Sequence, residues 1–182
     1  MKFYKWFIKI CVIALLSLAF YGLSSIEINS QMISQTSVSN ILPYCVVLLA
    51  CCKVAYILYS TYKKIIEAVQ NNILFHNFLF FVLANMTLAI SSFAADYWNI
   101  YAIAHTHFQG IDENFVIFEQ IFECLYFSML TYSYFGYGEI MPVTIPSKIL
   151  VMMEVGLAFL TMIFVLADFI GLKESLRQIS KK

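Results

Sequence analysis

Charged side chains are scarce in this chain of 182 residues, because only 12% are Asp, Glu, Lys or Arg, whereas soluble domains contain about 25%. The eleven basic and eleven acidic residues cancel, so no net charge exists to attract nucleic acid or an acidic substrate. Hydrophobic residues instead make up 62% of the chain. This composition predicts a protein whose partner is the lipid bilayer and which binds no nucleic acid.

The chain also lacks the residue spacing of a metal site, a disulfide framework or a catalytic centre. Its five cysteines lie inside apolar runs, where cysteine behaves as a small hydrophobic residue. His105 and His107 are a weak metal or proton-sensing signal, and a solvated loop explains them more simply. No histidine, carboxylate or nucleophile cluster lies at one depth, so we expect no enzyme activity, no cofactor and no small-molecule substrate.

Long apolar runs are abundant, and four of them reach the length of about 20 residues that a spanning helix needs. They cover residues 6–23, 41–60, 73–95 and 149–171. A shorter run over 115–130 is interrupted by Glu119 and Glu123, which favours a re-entrant or buried helix. The sequence therefore predicts an all-α membrane protein with four transmembrane helices and one additional short helix.

The first apolar run follows three lysines and has the outline of a signal peptide. No small-x-small cleavage site ends it, so we expect an uncleaved anchor. With four helices threaded in order, nine of the eleven basic residues fall on one side of the membrane, which predicts that both termini are cytoplasmic. These residues are Lys2, Lys5, Lys9, Lys63, Lys64, Lys173, Arg177, Lys181 and Lys182.

The opposite side of the membrane receives mostly acidic residues. They are Glu27, Asp96, Asp112, Glu113 and Glu139, and Lys148 is the cation that opposes them. A negative outer surface would concentrate cations there. Ordinary solvated loops would show the same residues, so both interpretations stay open.

Residues 126–142 contain the most informative pattern. An apolar helix there stops at Gly136-Tyr137-Gly138, and Glu139 and Pro142 precede the last predicted span. Non-helical backbone at membrane depth must be buried in protein or line an aqueous path. Glycine adopts positive φ at little cost, which allows consecutive carbonyl groups to point inward. Several copies around one axis could then replace the hydration shell of a cation.

This segment resembles the potassium-channel pore family, whose filter consists of four TVGYG loops. The match includes the pore-helix pattern 125–128, Thr131, the Gly-Tyr-Gly-Glu turn, and Pro142 leading into the last helix. The resemblance spans roughly residues 73–171 in the order outer helix, pore helix, filter, inner helix. It implies a homotetrameric pore of the plasma membrane that conducts K⁺ passively, with an altered filter in a bacterial-type, four-span subunit.

The resemblance also implies an organisation of the chain. An N-terminal two-helix hairpin with a cytoplasmic loop would cover residues 1–72, the pore module 73–171, and a short cytoplasmic tail 172–182. The pore helix would run over about 121–133, with its partially negative carbonyl end toward the ion path.

Residue by residue, the family pattern assigns roles to three groups. The carbonyls that coordinate K⁺ would come from Tyr134, Phe135, Gly136 and Tyr137, with Gly138 closing the outer end. Filter support would come from Tyr126, Thr131, Glu139 and Glu154. The inner pore lining would be Phe159, Met162, Leu166 and Ile170, an apolar constriction suited to gating by dewetting.

Two of the supporting roles are specific. We expect Tyr126 to form a hydrogen bond with Glu139 behind the filter, and Glu154 to stabilise the filter through a neighbouring pore helix. Lys53 and Asp168 fall in the cytoplasmic halves of their predicted helices, where they either pair or extend to the membrane interface.

Two filter positions depart from the family pattern. Tyr134 stands where the family has threonine, and Phe135 where it usually has valine or isoleucine. The threonine hydroxyl of the innermost ion site is therefore missing. Either the rings narrow the ion path or they turn away and pack behind the filter. A nonselective monovalent cation channel and a nonconducting accessory or scaffold subunit remain the alternatives to a potassium channel.

Overall fold

The computed structural model describes residues 35–70, 75–136 and 138–179, and within them the side chains of 41–63, 66, 79–136 and 138–166. This part of the chain is mostly helical. The long elements are α1 (Gln35–Gln70), α2 (Phe75–Ile103), α3 (Ile117–Tyr132) and α4 (Ile145–Ile179). A short 3₁₀ helix, His105–His107, and two strands, β1 (Phe108–Gln109) and β2 (Met141–Pro142), lie between the helices.

Three helices are long and apolar enough to cross a membrane, over Ile41–Lys63, Leu79–Ile103 and Ile145–Leu166. They correspond to the second, third and fourth predicted spans and confirm an all-α membrane protein. The first predicted span, residues 6–23, lies outside the described residues. The predicted boundary between hairpin and pore module, at residues 72 and 73, falls there too.

The outer helix is longer than its hydropathy predicts. We expected it to end at residue 95, but α2 continues to Ile103. The added residues include Tyr97, Ile100 and Tyr101, none of which has any exposed surface in the subunit. The prediction was wrong because Asp96 was taken for the start of a solvated loop, whereas its carboxylate is buried inside the protein.

The short helix α3 has 16 residues, which at about 1.5 Å per residue is too short to cross a bilayer of about 30 Å. Its start is capped by Glu119, whose carboxylate accepts a hydrogen bond of 3.1 Å from the Val116 N–H. Its buried face comprises Cys124, Phe127, Ser128, Thr131 and Tyr132. The helix thus begins and ends within a few residues of the predicted bounds, 121–133.

An aromatic cluster joins three segments of the core. The rings of Tyr97, Phe108 and Phe127 meet edge to face with centroid distances of 5.0 to 5.6 Å. These residues come from α2, β1 and α3, and such edge contacts are favourable beyond the apolar area that they bury. The helix α1 packs against both α2 and α4, so it lies on the side of these two helices.

The segment after α2 is tied to the segment that precedes α4. Strands β1 and β2 pair antiparallel, with Phe108 opposite Pro142 and Gln109 opposite Met141. The carbonyl oxygen of His107 accepts hydrogen bonds from the Val143 N–H and the Ser147 hydroxyl, both 3.0 Å long. We call residues 105–110 the outer strap.

Gly110 ends the outer strap at a point of close backbone approach. Its φ is +98°, and a Cβ atom there would lie 2.1 Å from the carbonyl oxygen of Glu139. Only glycine fits this position without displacing the backbone just after the Gly-Tyr-Gly sequence. The outer strap therefore lies against the backbone of residue 139 and pairs as a strand with residues 141 and 142.

The first prediction concerns Gly110. The substitution Gly110→Ala should destabilise the protein by about 1–3 kcal/mol, because it strains the backbone and displaces residue 139. Thermal unfolding of the purified chain measures this. Gly156→Ala is the matched control, since a Cβ atom at Gly156 meets no atom within 4 Å in the subunit. Equal melting temperatures for the two variants would contradict the prediction.

Candidate functional site

The backbone leaves helical geometry where α3 ends. The N–H groups of Tyr134 and Phe135 donate to the carbonyls of Thr131 and Leu130, which closes the last turn. Tyr134 then has φ +58° and Gly136 has φ +85°. Positive φ at alternate residues is a backbone pattern that can direct successive carbonyl groups to one side. Tyr137 lies outside the described residues, and Gly138 is exposed in the subunit.

Tyr134 turns its ring toward the last helix. Its hydroxyl donates a hydrogen bond of 3.1 Å to the carbonyl oxygen of Val155 in α4. Phe135 has no such contact, and 83% of its surface is exposed in the subunit. The two residues that depart from the family pattern therefore differ, since Tyr134 is bound to α4 and Phe135 projects from the chain.

Tyr126 and Glu139, which we expected to pair, do not share a hydrogen bond within the described part of one chain. Tyr126 lies on the face of α3 that is not packed, and 47% of it is exposed. The buried face of α3 belongs to Phe127, Ser128 and Thr131 instead. Helical phase is the reason, since Tyr126 points away from the face formed by residues 124, 128 and 131.

Glu154 is the most completely enclosed of the predicted site residues. It is 0% exposed, and its Oε2 and Oε1 lie 2.5 Å from the hydroxyls of Tyr97 and Ser128, respectively. The Ser128 hydroxyl also lies 2.9 Å from the carbonyl oxygen of Ile90. Glu154 thus joins α2, α3 and α4 within a single chain. Within the chain, the helix that Glu154 contacts through Ser128 is α3, and the expected support through a neighbouring copy stays a prediction.

Lys53 forms an ion pair that the sequence did not predict. Its Nζ lies 2.5 Å from Asp96 Oδ2 and 3.0 Å from Ser92 Oγ, and both charged side chains are buried. The expectations that Lys53 reaches the membrane interface or pairs with Asp168, and that Asp96 lies in a solvated loop, were wrong. Because α2 continues through residue 96, Asp96 lies one turn after Ser92 and faces α1. The side chain of Asp168 lies outside the described residues.

The two buried contacts adjoin one another on α2. Asp96 binds α1, and the next residue, Tyr97, binds Glu154 of α4, which in turn contacts α3. We call this set the polar layer; it consists of Lys53, Ser92, Asp96, Tyr97, Ser128 and Glu154. Sequence reasoning missed Ser92 and Tyr97. Ser128 and Thr131, small polar residues three positions apart on one face of an apolar helix, were the signal that could have revealed Ser128 as a buried contact.

The residues of the predicted inner pore lining lie on the face of α4 that does not pack against the other helices of the chain. Phe159, Met162 and Leu166 are each more than half exposed in the subunit. The side chain of Ile170 lies outside the described residues. Thr131, a predicted support residue, is buried at the end of α3, and its hydroxyl has no hydrogen-bond partner among the described residues.

The histidines of the outer strap serve its packing. His107 Nδ1 lies 2.5 Å from the Thr144 hydroxyl, and burial lowers the pKa of His107 below its usual 6.5, so it is neutral at pH 7. His105 stacks on Tyr101 with a centroid distance of 4.5 Å and lies 3.8 Å from Glu113. No group of three or more metal-ligating side chains occurs in the part of the chain that the structure describes.

The second prediction tests the ion pair. Lys53→Met leaves the Asp96 carboxylate buried and unpaired, which should destabilise the protein by about 3–5 kcal/mol. The double variant Lys53→Met with Asp96→Asn removes both charges and should recover most of that loss. Denaturant unfolding in detergent measures each variant. Additive losses in the double variant would show that the two charges do not interact.

A family model described as "Ion channel" matches residues 43–172, from within α1 through most of α4 and therefore over more than half of the chain. The match includes the helix α1 as well as the segment from α2 to α4. No curated protein and no solved structure matches the chain.

Proposed function

We propose that this chain, which belongs to the ion channel family, is one of four identical subunits of a potassium-selective channel of the plasma membrane. Family membership makes it a multi-pass membrane protein that conducts ions passively instead of catalysing a reaction. Potassium selectivity, the fourfold pore and the cytoplasmic termini are the further parts of the proposal.

The backbone between α3 and α4 is the observation that carries it. A short helix between two spanning helices ends in residues with alternate positive φ, at Tyr134 and Gly136. Such backbone at membrane depth requires protein or an aqueous path around it. The carboxyl end of α3 carries roughly half a negative charge, which favours a cation losing its water. A path lined by carbonyl groups from residues 134–138 satisfies both conditions.

Exposed apolar faces next to this backbone support assembly around an axis. On α3 they comprise Phe118, Phe122, Leu125 and Met129, and on α4 Phe159, Met162 and Leu166. Contiguous apolar surface of this kind is typical of contact with protein or lipid. Copies of the chain would place the α4 residues around the ion path, where rings of apolar side chains can close it by dewetting.

A nonselective cation channel is the second candidate, and the filter itself favours it. With Tyr134 in place of threonine, the innermost ion site loses the threonine hydroxyl and keeps only the backbone carbonyl, because the Tyr134 hydroxyl is bound to Val155. The side chain of Phe135 projects from the subunit. Weaker coordination at the inner end would reduce discrimination between K⁺ and Na⁺.

The third prediction distinguishes these functions. The purified chain in liposomes should give a reversal potential close to that of K⁺ in opposing K⁺ and Na⁺ gradients. A reversal potential that follows Na⁺ equally would indicate a nonselective channel. Tetrameric assembly without flux would indicate an accessory subunit.

The substitution Gly136→Ala should abolish flux. The backbone φ of +85° strains any residue with a Cβ atom, although that atom would meet no other atom within 4 Å. Gly156→Ala is its matched control.

The fourth prediction concerns Tyr134. We expect the Tyr134 ring, whose hydroxyl is bound to Val155 of α4, to stay packed against that helix without narrowing the path, so Tyr134→Thr should leave single-channel conductance unchanged. Tyr134→Phe keeps the ring but removes the hydrogen bond, so it should lower stability by about 1 kcal/mol. A rise in conductance in the threonine variant would mean that the ring narrows the path.

A further inference from the structure

Glu154 is a carboxyl group to which the proposed ion path assigns no role, and no cation lies beside it among the residues that the structure describes. It has no exposed surface, and Lys53, the buried lysine of the polar layer, is bound by Asp96 and Ser92. An isolated carboxylate in a low-dielectric interior is strongly disfavoured, so such groups become neutral unless a cation or several donors compensate them. The hydrogen-bond partners of Glu154 show whether its side chain is neutral or ionised.

The hydrogen bonds around Glu154 determine how many protons the site must contain. Tyr97 Oη lies 2.5 Å from Glu154 Oε2, Ser128 Oγ lies 2.5 Å from Oε1, and Ser128 Oγ lies 2.9 Å from the carbonyl oxygen of Ile90. Each of these three oxygen–oxygen contacts requires one proton. A tyrosine and a serine hydroxyl supply one each, and the carbonyl supplies none. The third proton must therefore belong to the carboxyl group.

Placing that proton on Oε1 satisfies every contact. Glu154 donates to Ser128, Ser128 donates to Ile90, and Tyr97 donates to Oε2 of Glu154. With an ionised Glu154, Ser128 could serve either the carboxylate or Ile90, and the other contact would set two lone pairs against each other. The arrangement is thus complete only for the neutral acid.

The surrounding charges favour the same state. Helix α2 contributes Asp96 and Tyr97, α3 contributes Ser128 and Tyr132, and α1 contributes Lys53, which contacts Asp96 directly. Asp96 is the anion that balances Lys53. A second carboxylate at Glu154 would leave the polar layer with two negative charges and one positive charge in a buried environment.

We propose that Glu154 is a neutral carboxylic acid at pH 7 whose proton, donated to Ser128, fixes the pore helix α3 to the outer helix α2. Glu154 is then a positioning residue, because α3 ends directly before the filter backbone. Its loss of the proton would leave two protons for three contacts. Helix α3 would then lose either its bond to Glu154 or its bond to Ile90.

Infrared spectroscopy of the purified full-length chain at pH 7 tests this assignment. The wild-type protein should show the carbonyl stretch of a protonated carboxylic acid, and E154Q should lack it. E123Q is the matched control, since Glu123 lies on the partly exposed side of α3, and it should retain the band. A wild-type spectrum without the band, or a band that survives in E154Q, would overturn the proposal.

Stability provides a second readout. A glutamine amide can donate to Ser128 and accept from Tyr97 as the neutral acid does, so E154Q should keep the wild-type melting temperature, whereas E154A should lower it. As pH is raised, wild type should lose stability relative to E154Q. If E154Q is destabilised as much as E154A, the carboxylate form is required and the proposal is wrong. Neither measurement depends on conduction, so its outcome is independent of the proposed channel function.

Discussion

The interaction on which the rest of the structure depends is the buried contact of Glu154 with Tyr97 and Ser128. Apolar packing alone does not fix the register of helices in a bilayer, because lipid tails are as apolar as the side chains. A carboxyl group with two partners on different helices does fix it. The neighbouring pair of Lys53 and Asp96 extends this constraint to α1, so all four helices share one buried polar layer.

The non-helical backbone that follows α3 lies between this layer and the outer strap. On its inner side, α3 is positioned by Ser128, and Tyr134 is bound to α4. On its outer side, Gly110 approaches the backbone of Glu139. This segment includes the exposed Gly136 and Gly138, where a Cβ atom would meet no atom within 4 Å among the described residues. Its conformation therefore depends on the elements that flank it and, in the proposed tetramer, on the other copies.

Much of the architecture could be predicted from hydropathy and glycine placement. Three spanning helices, the short helix α3 and the end of that helix before Gly136 follow from residue types along the chain. The extension of α2 to Ile103 could not be predicted, because the sequence does not show whether Asp96 lies in a solvated loop or in a buried ion pair. Tyr126 and Glu139 share no hydrogen bond within the described part of one chain, because Tyr126 lies on the exposed face of α3 and the family pattern does not give the phase of that helix.

The sequence by itself determined that the chain belongs in a membrane and that residues 134–138 interrupt its helices, because hydrophobicity and glycine are local properties. Only the tertiary structure decided which polar groups meet. Lys53 and Asp96 are 43 residues apart, and Tyr97 and Glu154 are 57 apart. Their pairing depends on how α1, α2 and α4 pack against one another, and the protonation of Glu154 depends in turn on those partners.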